Sequence, residues 1–423
     1  MSLRYTPTAL EKCAIIGVCM LGFGIPWSSA LFRLSFPIIF ISLFWVGLLA
    51  IKKDESLRAL FKEMMTEPFT WFIFLFVLWV IASGAWTIAS AVYYKFDTSQ
   101  YLKLLMIPGL AILIKIFLPD KGRFLLCLYL SGVLALTLPT ALDALGFFSY
   151  FSIDTVQYRN AAYGDGRFVY FRNHIVHGFH VSALAAIVLL HSMIFKKGRV
   201  VACFALVYAF VDIMFWTSGR MALIGLFAGL IFSAWTSFIY LNGSQVRSVA
   251  DNRWVYAFIF VLFSTIWLGM DVIYARHLSV VGEINQYLRS DAITSAGTRI
   301  HFWLVSINIF TDSWLIGSGS GAFRHTLEVT KDAYFESRYS HAHNEYLTIL
   351  SQFGVVGFVL LLSVIYLLIK EALRHRDPLI GRSFLCLLVV FAINALTDSS
   401  LYNQWEGWAL VYFSAVMIGS RSA

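Results

Sequence analysis

The chain has 423 residues, of which 59% are hydrophobic and 13% charged, with a mean hydropathy of +0.74. A soluble domain carries about 25% charged residues, so an ordinary soluble enzyme, a disordered protein and a nucleic-acid binder are excluded. The formal net charge of +8 is therefore assigned mostly to membrane flanks.

A membrane helix needs about 20 mostly apolar residues. Lipid offers the backbone no hydrogen-bond partner, so runs of that length must be helices. Twelve are predicted, at 13–30, 34–51, 69–90, 100–118, 124–145, 175–195, 200–217, 220–241, 254–274, 344–369, 383–398 and 405–420. The first begins after Arg4 and Lys12 without an A-x-A cleavage site and reads as a retained signal anchor. Cys13, Cys19, Cys127, Cys203 and Cys386 all fall in apolar runs without zinc-ligand or redox spacing, and read as small apolar residues. The expected fold is an all-α polytopic membrane protein of about 12 transmembrane helices, one integral membrane domain over 1–423, with one long helical outer loop before the tenth helix.

Lys and Arg set the orientation. With the N-terminus cytoplasmic, 19 of the 32 basic residues lie inside, in short loops dense in charge, and the C-terminus is cytoplasmic as well. The outer 13 are 3 Lys (Lys95, Lys103 and Lys331) and 10 Arg, against 9 Lys and 10 Arg inside. Topology does not require arginine over lysine, whereas bidentate phosphate recognition does. The outer face therefore reads as one that handles an anionic group. Two outer segments exceed what a connection needs, 146–173 and 275–342, and long outer loops are usual places for function. The second holds an amphipathic stretch, Arg299 to Phe310, suited to the membrane interface. The Gly-rich string Gly317-Ser-Gly-Ser-Gly321 follows and reads as a tight turn, since no G-K-[ST] follows it.

Where the long loop enters the tenth helix stands His341-Ala-His343-Asn344-Glu345. On an uninterrupted helix His343 and Gly354 are about three turns apart on one face, and Gly357 is within roughly 40° of the same line. That gives a histidine at the water end and glycines deeper, where another helix or a lipid chain could approach. The blander reading is a helix cap above a packing groove. His341 and His343 could also be a metal pair, but no Cys or carboxylate completes a clear ligand set in the sequence. A general base is the better reading, because an unperturbed histidine titrates near 6.5, about where a proton acceptor at neutral pH should. His341 is a possible helper.

Thr217-Ser218-Gly219-Arg220 opens the eighth helix on the outer side. A cation at the positive end of a helix dipole is unfavourable by a few tenths of a kcal/mol, roughly, and becomes sensible if an anion binds there. A snorkelling arginine is the alternative. Gly225 and Gly229 follow in the helix-packing spacing G-x-x-x-G. Arg299 has Arg289 and His301 nearby in sequence, while Arg159, Arg167, Arg172 and His174 alternate with tyrosines in and beside 146–173. Both groups suit a sugar and phosphate surface, or a headgroup belt. Asp398 and Glu406, near outer helix ends, could orient a histidine or pair with an arginine, and the sequence leaves this open. Asp143, Asp212 and Asp271 lie in or near apolar runs without forming a regular ladder.

The twelve runs, the long outer loop and the string His343-Asn344-x9-Gly354-Val-Val-Gly357 resemble the bacterial O-antigen ligases, whose signature is H-[NSQ]-x9-G-x-x-[GTY]. These form a superfamily with the O-antigen polymerases and the protein O-oligosaccharyltransferases. Arg220-Met-Ala-Leu-Ile224 is similar to the family's R-x-x-x-L element, with Ile in place of Leu. The resemblance implies a glycosyltransferase of the inner membrane with its active site at the periplasmic face. It would move O-antigen from undecaprenyl diphosphate to a sugar hydroxyl of lipid A–core, without nucleotide, metal or other cofactor. The signature histidine falls on His343, the membrane-helix arginine on Arg220 and the loop arginine on Arg299. The expected partners are the lipid-linked donor, the lipid A–core acceptor and membrane lipid, with no nucleic acid. A polymerase or a protein-glycosylating enzyme of the same superfamily is the first alternative, and a transporter or flippase for a lipid-linked sugar the more distant one.

Overall fold

A computed structural model describes residues 9–52, 54–147, 173–195, 199–216, 220–242, 263–264, 267, 270–290, 294–330 and 339–421. Every regular element among them is helical. Helices α1 (Ala9–Trp27) and α2 (Ser29–Lys52) form a hairpin about Ser28. The amphipathic α3 (Glu55–Thr66) is capped by Asp54, whose carboxylate accepts from the amides of Ser56 and Leu57, and α4 (Pro68–Ala82) opens on a proline. Then come α5 (Ala91–Tyr101), a 3-10 turn at Leu102–Leu105, α6 (Met106–Phe117), α7 (Gly122–Ala144), α8 (His174–Phe195), and α9 (Arg199–Val211), which runs into a π turn at Asp212–Trp216. After these follow α10 (Arg220–Asn242), α11 (Met270–Ser290), α12 (Ser295–Asp312), α13 (Ala322–Val329), α14 (Glu345–Arg374), α15 (Pro378–Asn394) and α16 (Gln404–Gly419).

Among the described residues nine helical spans are long and apolar enough to cross a membrane. With the shorter α15 and α16 they account for eleven of the twelve predicted runs; the run at 254–274 lies mostly outside the described residues. The expected helical content of the long loop is present as α11, α12 and α13. Helix α16 is buried on every side from Glu406 to Gly419, as a helix apolar all round should be, and stands inside the bundle. The Gly225/Gly229 spacing is a packing contact: a Cβ at Gly229 would lie 2.9 Å from Val390 Cγ2 and 3.1 Å from Ala186 Cβ, so α10 seats closely on α15 and α8. All five cysteines are free.

Contacts gather described connections at two ends. At one end Lys115 meets Glu63 at 2.7 Å, Arg123 meets Asp377 at 2.6 Å, and Arg421 pairs with Glu371 and Glu67. Such pairs contribute little individually when exposed, but they show which connections share an end. At the other end the 83–90 and 313–321 segments join, with Thr87 Oγ1 donating to the Ser320 carbonyl at 2.9 Å. Lys103 departs from expectation. It is 6% exposed and so is not a cation of the outer surface.

The second departure concerns the tenth predicted helix. Its backbone breaks at Gly354, at φ 64 and ψ −169, so the uninterrupted face running from His343 to Gly354 and Gly357 does not exist. The Gly-rich turn fills the break. Amides of Ser318 and Gly319 donate to the carbonyls of Ser351 and Gln352 at 3.0 and 2.9 Å, and amides of Val355 and Val356 donate to those of Trp314 and Leu315 at 2.9 and 3.1 Å. The carbonyls of Ser351 and Gln352 and the amides of Val355 and Val356 thus have substitutes, as a buried backbone requires. Gly354 admits a loop of the same chain, while Gly357 lies against Trp79 of α4.

Candidate active site

His343 and Asn344 form the entry to α14. Asn344 caps the helix, its Oδ1 accepting from the Leu347 amide at 3.0 Å, while its Nδ2 donates to the Leu396 carbonyl at 3.0 Å. One side chain therefore starts the helix and ties it to the α15–α16 turn. His343 has φ 48, a left-handed conformation that costs a non-glycine residue about 1 kcal/mol. His341 supplies compensation, its Nδ1 accepting from the His343 amide at 3.2 Å. The His343 ring lies parallel to Phe302 of α12, at 6.1 Å and 6° between planes, with Tyr339 edge-on at 5.4 Å. Phe302, Phe323, Leu327 and Ala342 make a small apolar cluster of their own, which holds α12 and α13 against this entry.

The α15–α16 turn brings the acid. His343 Nδ1 lies 3.2 Å from Asp398 Oδ1. The same carboxylate accepts from the Ser399 amide at 2.9 Å and, through Oδ2, from Asn403 Nδ2 at 2.8 Å. Burial alone would raise the Asp398 carboxyl. The hydrogen bond and charge of His343, with His341 and the Ser399 amide, outweigh burial and hold it below the usual carboxylate range. An ionised Asp398 fixes the proton of His343 on Nδ1 and leaves Nε2 as the nitrogen that can take one. Of the two carboxylates left open by the sequence, Asp398 is the one that orients a histidine.

His341 is pushed down to about 3, first by burial and then by the neighbouring His343. It is neutral at pH 7, which agrees with Nδ1 acting as acceptor, and its place is that of a backbone support. The consequence for stability has a definite sign. The unfolded histidine, near 6.5, binds a proton between about pH 6.5 and pH 3 that the folded one refuses, so stability falls on acidification through that window. His341→Asn, which keeps an acceptor for the His343 amide, is expected to flatten this dependence by about 2 kcal/mol at pH 5. Thermal unfolding at pH 7 and pH 5 measures it, and equal drops in both proteins would refute the assignment.

Arg299 comes from the amphipathic stretch, which is helical as expected. Its Nε donates to the carbonyl of Thr397, the residue before Asp398, at 3.3 Å, and its Nη1 donates to Ser295 O and Oγ at 3.1 and 2.7 Å. The guanidinium is thus fastened beside the Asp398 turn. Arg220 opens α10 as predicted; its side chain, with Arg159, Arg167 and Arg172, lies outside the described residues. His174 is half-buried in the first turn of α8, Arg289 is exposed in the last turn of α11, and the His301 ring packs against Tyr287 and Phe302. The described contacts of these three do not include His343. Asp212, one of the acids in apolar runs, pairs with His177 at 2.8 Å, both wholly buried.

The structure corrects the reading of the histidine pair on one point. A carboxylate does complete a three-residue set: one ligand atom each from His341, His343 and Asp398 lie within 4.8 Å of one another. In the structure His343 Nδ1, Asp398 Oδ1 and His341 Nδ1 are engaged in hydrogen bonds. Asp398 lies 55 residues beyond His343, so no local spacing could pair them. The available signal was the polar string Thr397-Asp-Ser-Ser-Leu-Tyr-Asn403 between two apolar helices.

No curated protein matches the chain. The family model described as O-antigen ligase matches residues 204–362, a stretch that carries Arg220, Arg299, His341 and His343 and stops short of Asp398. Over that stretch the chain is similar to the O-antigen ligase family, and the match supports a place in that superfamily.

Proposed function

We propose that the protein is a glycosyltransferase that moves O-antigen polysaccharide from undecaprenyl diphosphate to a sugar hydroxyl of lipid A–core. The observation that carries this reading is the His343–Asp398 pair, standing at a helix mouth of a membrane bundle with the Arg299 guanidinium fastened one residue away. His343 Nε2 takes the proton of the acceptor hydroxyl as its oxygen attacks the anomeric carbon. The bond from that carbon to the diphosphate oxygen breaks, and the growing negative charge is met by Arg220 and Arg299, donors aimed where charge develops. Asp398 stabilises the imidazolium formed meanwhile. Direct attack opposite the diphosphate inverts the anomeric centre. The active site faces the periplasm of the inner membrane, both termini are cytoplasmic, and the 146–173 and 275–342 segments contribute substrate contacts through Arg159, Arg167, Arg172, His174, Arg289 and His301.

The test is transfer by the purified full chain, given an undecaprenyl-diphosphate-linked oligosaccharide and lipid A–core in detergent, without nucleotide or ion gradient, with and without a chelator. Transfer is expected in both cases. Inhibition by the chelator, reversed by a divalent ion, would turn the His341–His343–Asp398 set into a metal site. His343→Ala is expected to lower the rate at least about 100-fold while the protein stays folded and inserted, and near-normal transfer would remove His343 as the base. Elongation of donor repeats would identify a polymerase, sugar on a serine of an added protein acceptor a protein O-oligosaccharyltransferase, and donor movement across vesicles without transfer a flippase.

A further inference from the structure

Two charged side chains inside the bundle have no part in that chemistry, and both are spent on one turn. Lys103 follows α5 in the 3-10 turn and is 6% exposed. Its ammonium donates to three consecutive main-chain carbonyls, Leu401 at 2.9 Å, Tyr402 at 3.3 Å and Asn403 at 2.7 Å. An ammonium has three N–H groups, so this lysine is fully used. Glu345, the first residue of α14, is 4% exposed. Its Oε2 accepts from the amides of Leu401 and Tyr402 at 2.8 and 3.1 Å. A buried cation thus grips the carbonyls of the 401–403 turn and a buried anion grips its amides.

The turn held in this way leads to the base. Asn403, whose carbonyl Lys103 holds, donates through Nδ2 to Asp398 Oδ2, and Asp398 Oδ1 holds His343 Nδ1. Glu345 stands two residues after His343 on the same helix entry, and its amide donates to the Ala395 carbonyl at 2.9 Å. A Cβ on Gly407 would come within 2.8 Å of Lys103 Nζ, so α16 begins with a residue small enough to leave the ammonium its place. Burying two ions is costly, and what offsets it here is that together they satisfy three carbonyls and two amides that apolar residues would leave without partners. What ions add is direction: three donors and a two-fold acceptor fix the turn in rotation as well as position.

We propose that Lys103 and Glu345 are positioning residues, a paired clamp that holds the 401–403 turn so that Asp398 keeps the imidazole of His343 aimed at the acceptor hydroxyl. The inference rests on the reading of His343 as the base. A displacement of about 1 Å at a reacting group can cost 100-fold in rate, so the clamp acts on turnover and leaves substrate affinity alone.

Lys103→Met and Glu345→Gln, each in the purified full chain, test it in the transfer assay with undecaprenyl-diphosphate-linked oligosaccharide and lipid A–core. Each is expected to lower kcat by about 10-fold or more, with KM for the donor within about twofold. The deciding measurement combines each with Asp398→Asn. If the clamp works through Asp398, then once Asp398 is lost each further change should cost less than about threefold, the sign of residues acting as a unit. Glu345→Gln keeps the side chain's shape and one acceptor oxygen, so it carries the test where Lys103→Met fails to fold. Near-normal kcat in folded Glu345→Gln, or a loss of the same factor with and without Asp398, would overturn the clamp. A result in which His343→Ala still transfers strikes the base assignment instead, and the two failures are told apart by that variant.

Discussion

Asp398→Asn is expected to lower the transfer rate by about 100- to 10,000-fold, with KM for the lipid-linked donor changed little. The carboxylate does two things that an amide cannot do together. It accepts simultaneously from His343 Nδ1, the Ser399 amide and Asn403 Nδ2, and it carries the charge that offsets the imidazolium. An asparagine presenting its oxygen to Ser399 and His343 turns its NH2 group toward Asn403 Nδ2, donor against donor. Flipped, it presents that donor to His343 Nδ1 and drives the proton to Nε2, the wrong nitrogen for a base. In serine proteases the corresponding change leaves geometry intact and costs about four orders of magnitude through the tautomer alone. The measurement is the single-turnover rate of folded variant and wild type with radiolabelled donor. A rate within threefold of wild type would mean that Asp398 is structural, and with it the orientation of His343 would need another source.

The fold was legible in the sequence because its physics is local. Apolar runs of membrane length leave the backbone no choice but helix, and eleven of the twelve predicted runs have helical counterparts. The Arg299–Phe310 stretch announced α12 by its own pattern. The site was only half legible. His343 and Arg299 could be singled out, each from its position at a helix mouth or an interface. Asp398 could be named but not paired, because the contact spans 55 residues and depends on how α15 returns to α14.

Two readings failed for the same reason. Helical-wheel arithmetic carried His343 to Gly354 across a backbone that is not helical at Gly354, since period alone does not reveal where a loop will cut in. Charge counting placed Lys103, near the start of the 100–118 run, among the outer cations, since nothing nearby in sequence shows the carbonyls of residues 401–403 that arrive 298 to 300 positions later. Both misreadings mark places where distant backbone replaces water as the hydrogen-bond partner. Both also lie in the support of the His343 entry, as expected where local rules are overruled for function.

Gly354→Ala is expected to be the most damaging single change away from the reacting groups. At φ 64 and ψ −169 the residue occupies a region essentially reserved for glycine, and a side chain there costs about 1–3 kcal/mol before any contact is considered. The contact is worse. A Cβ at Gly354 would collide with the Leu315 carbonyl, and one at the facing Gly317 would collide with the backbone of Gln352 and Phe353. Relief requires backing the 313–321 turn out of the helix break. That would strand the carbonyls of Ser351 and Gln352 and the amides of Val355 and Val356 in the bundle, at about 1–3 kcal/mol for each unsatisfied group. Gln352 Oε1, which accepts from the Gly321 amide at 2.6 Å, would be lost with them, and α13, which begins on Gly321, would lose its seat. The apolar cluster of Phe302, Phe323 and Ala342 beside His343 depends on that seat, so transfer should disappear along with thermal stability. Gly47→Ala is the matched control: it sits inside α2 with nothing within 4 Å of the added methyl, and alanine in a helix should hold or raise stability by about 1 kcal/mol. Thermal unfolding of both variants in detergent, with transfer assayed on the folded fraction, decides the matter. If Gly354→Ala unfolds within 2 °C of wild type, roughly 2 kcal/mol for a chain of this length, the turn is not held by the break, and the site must owe its shape to the Asn344 cap and the aromatic cluster alone.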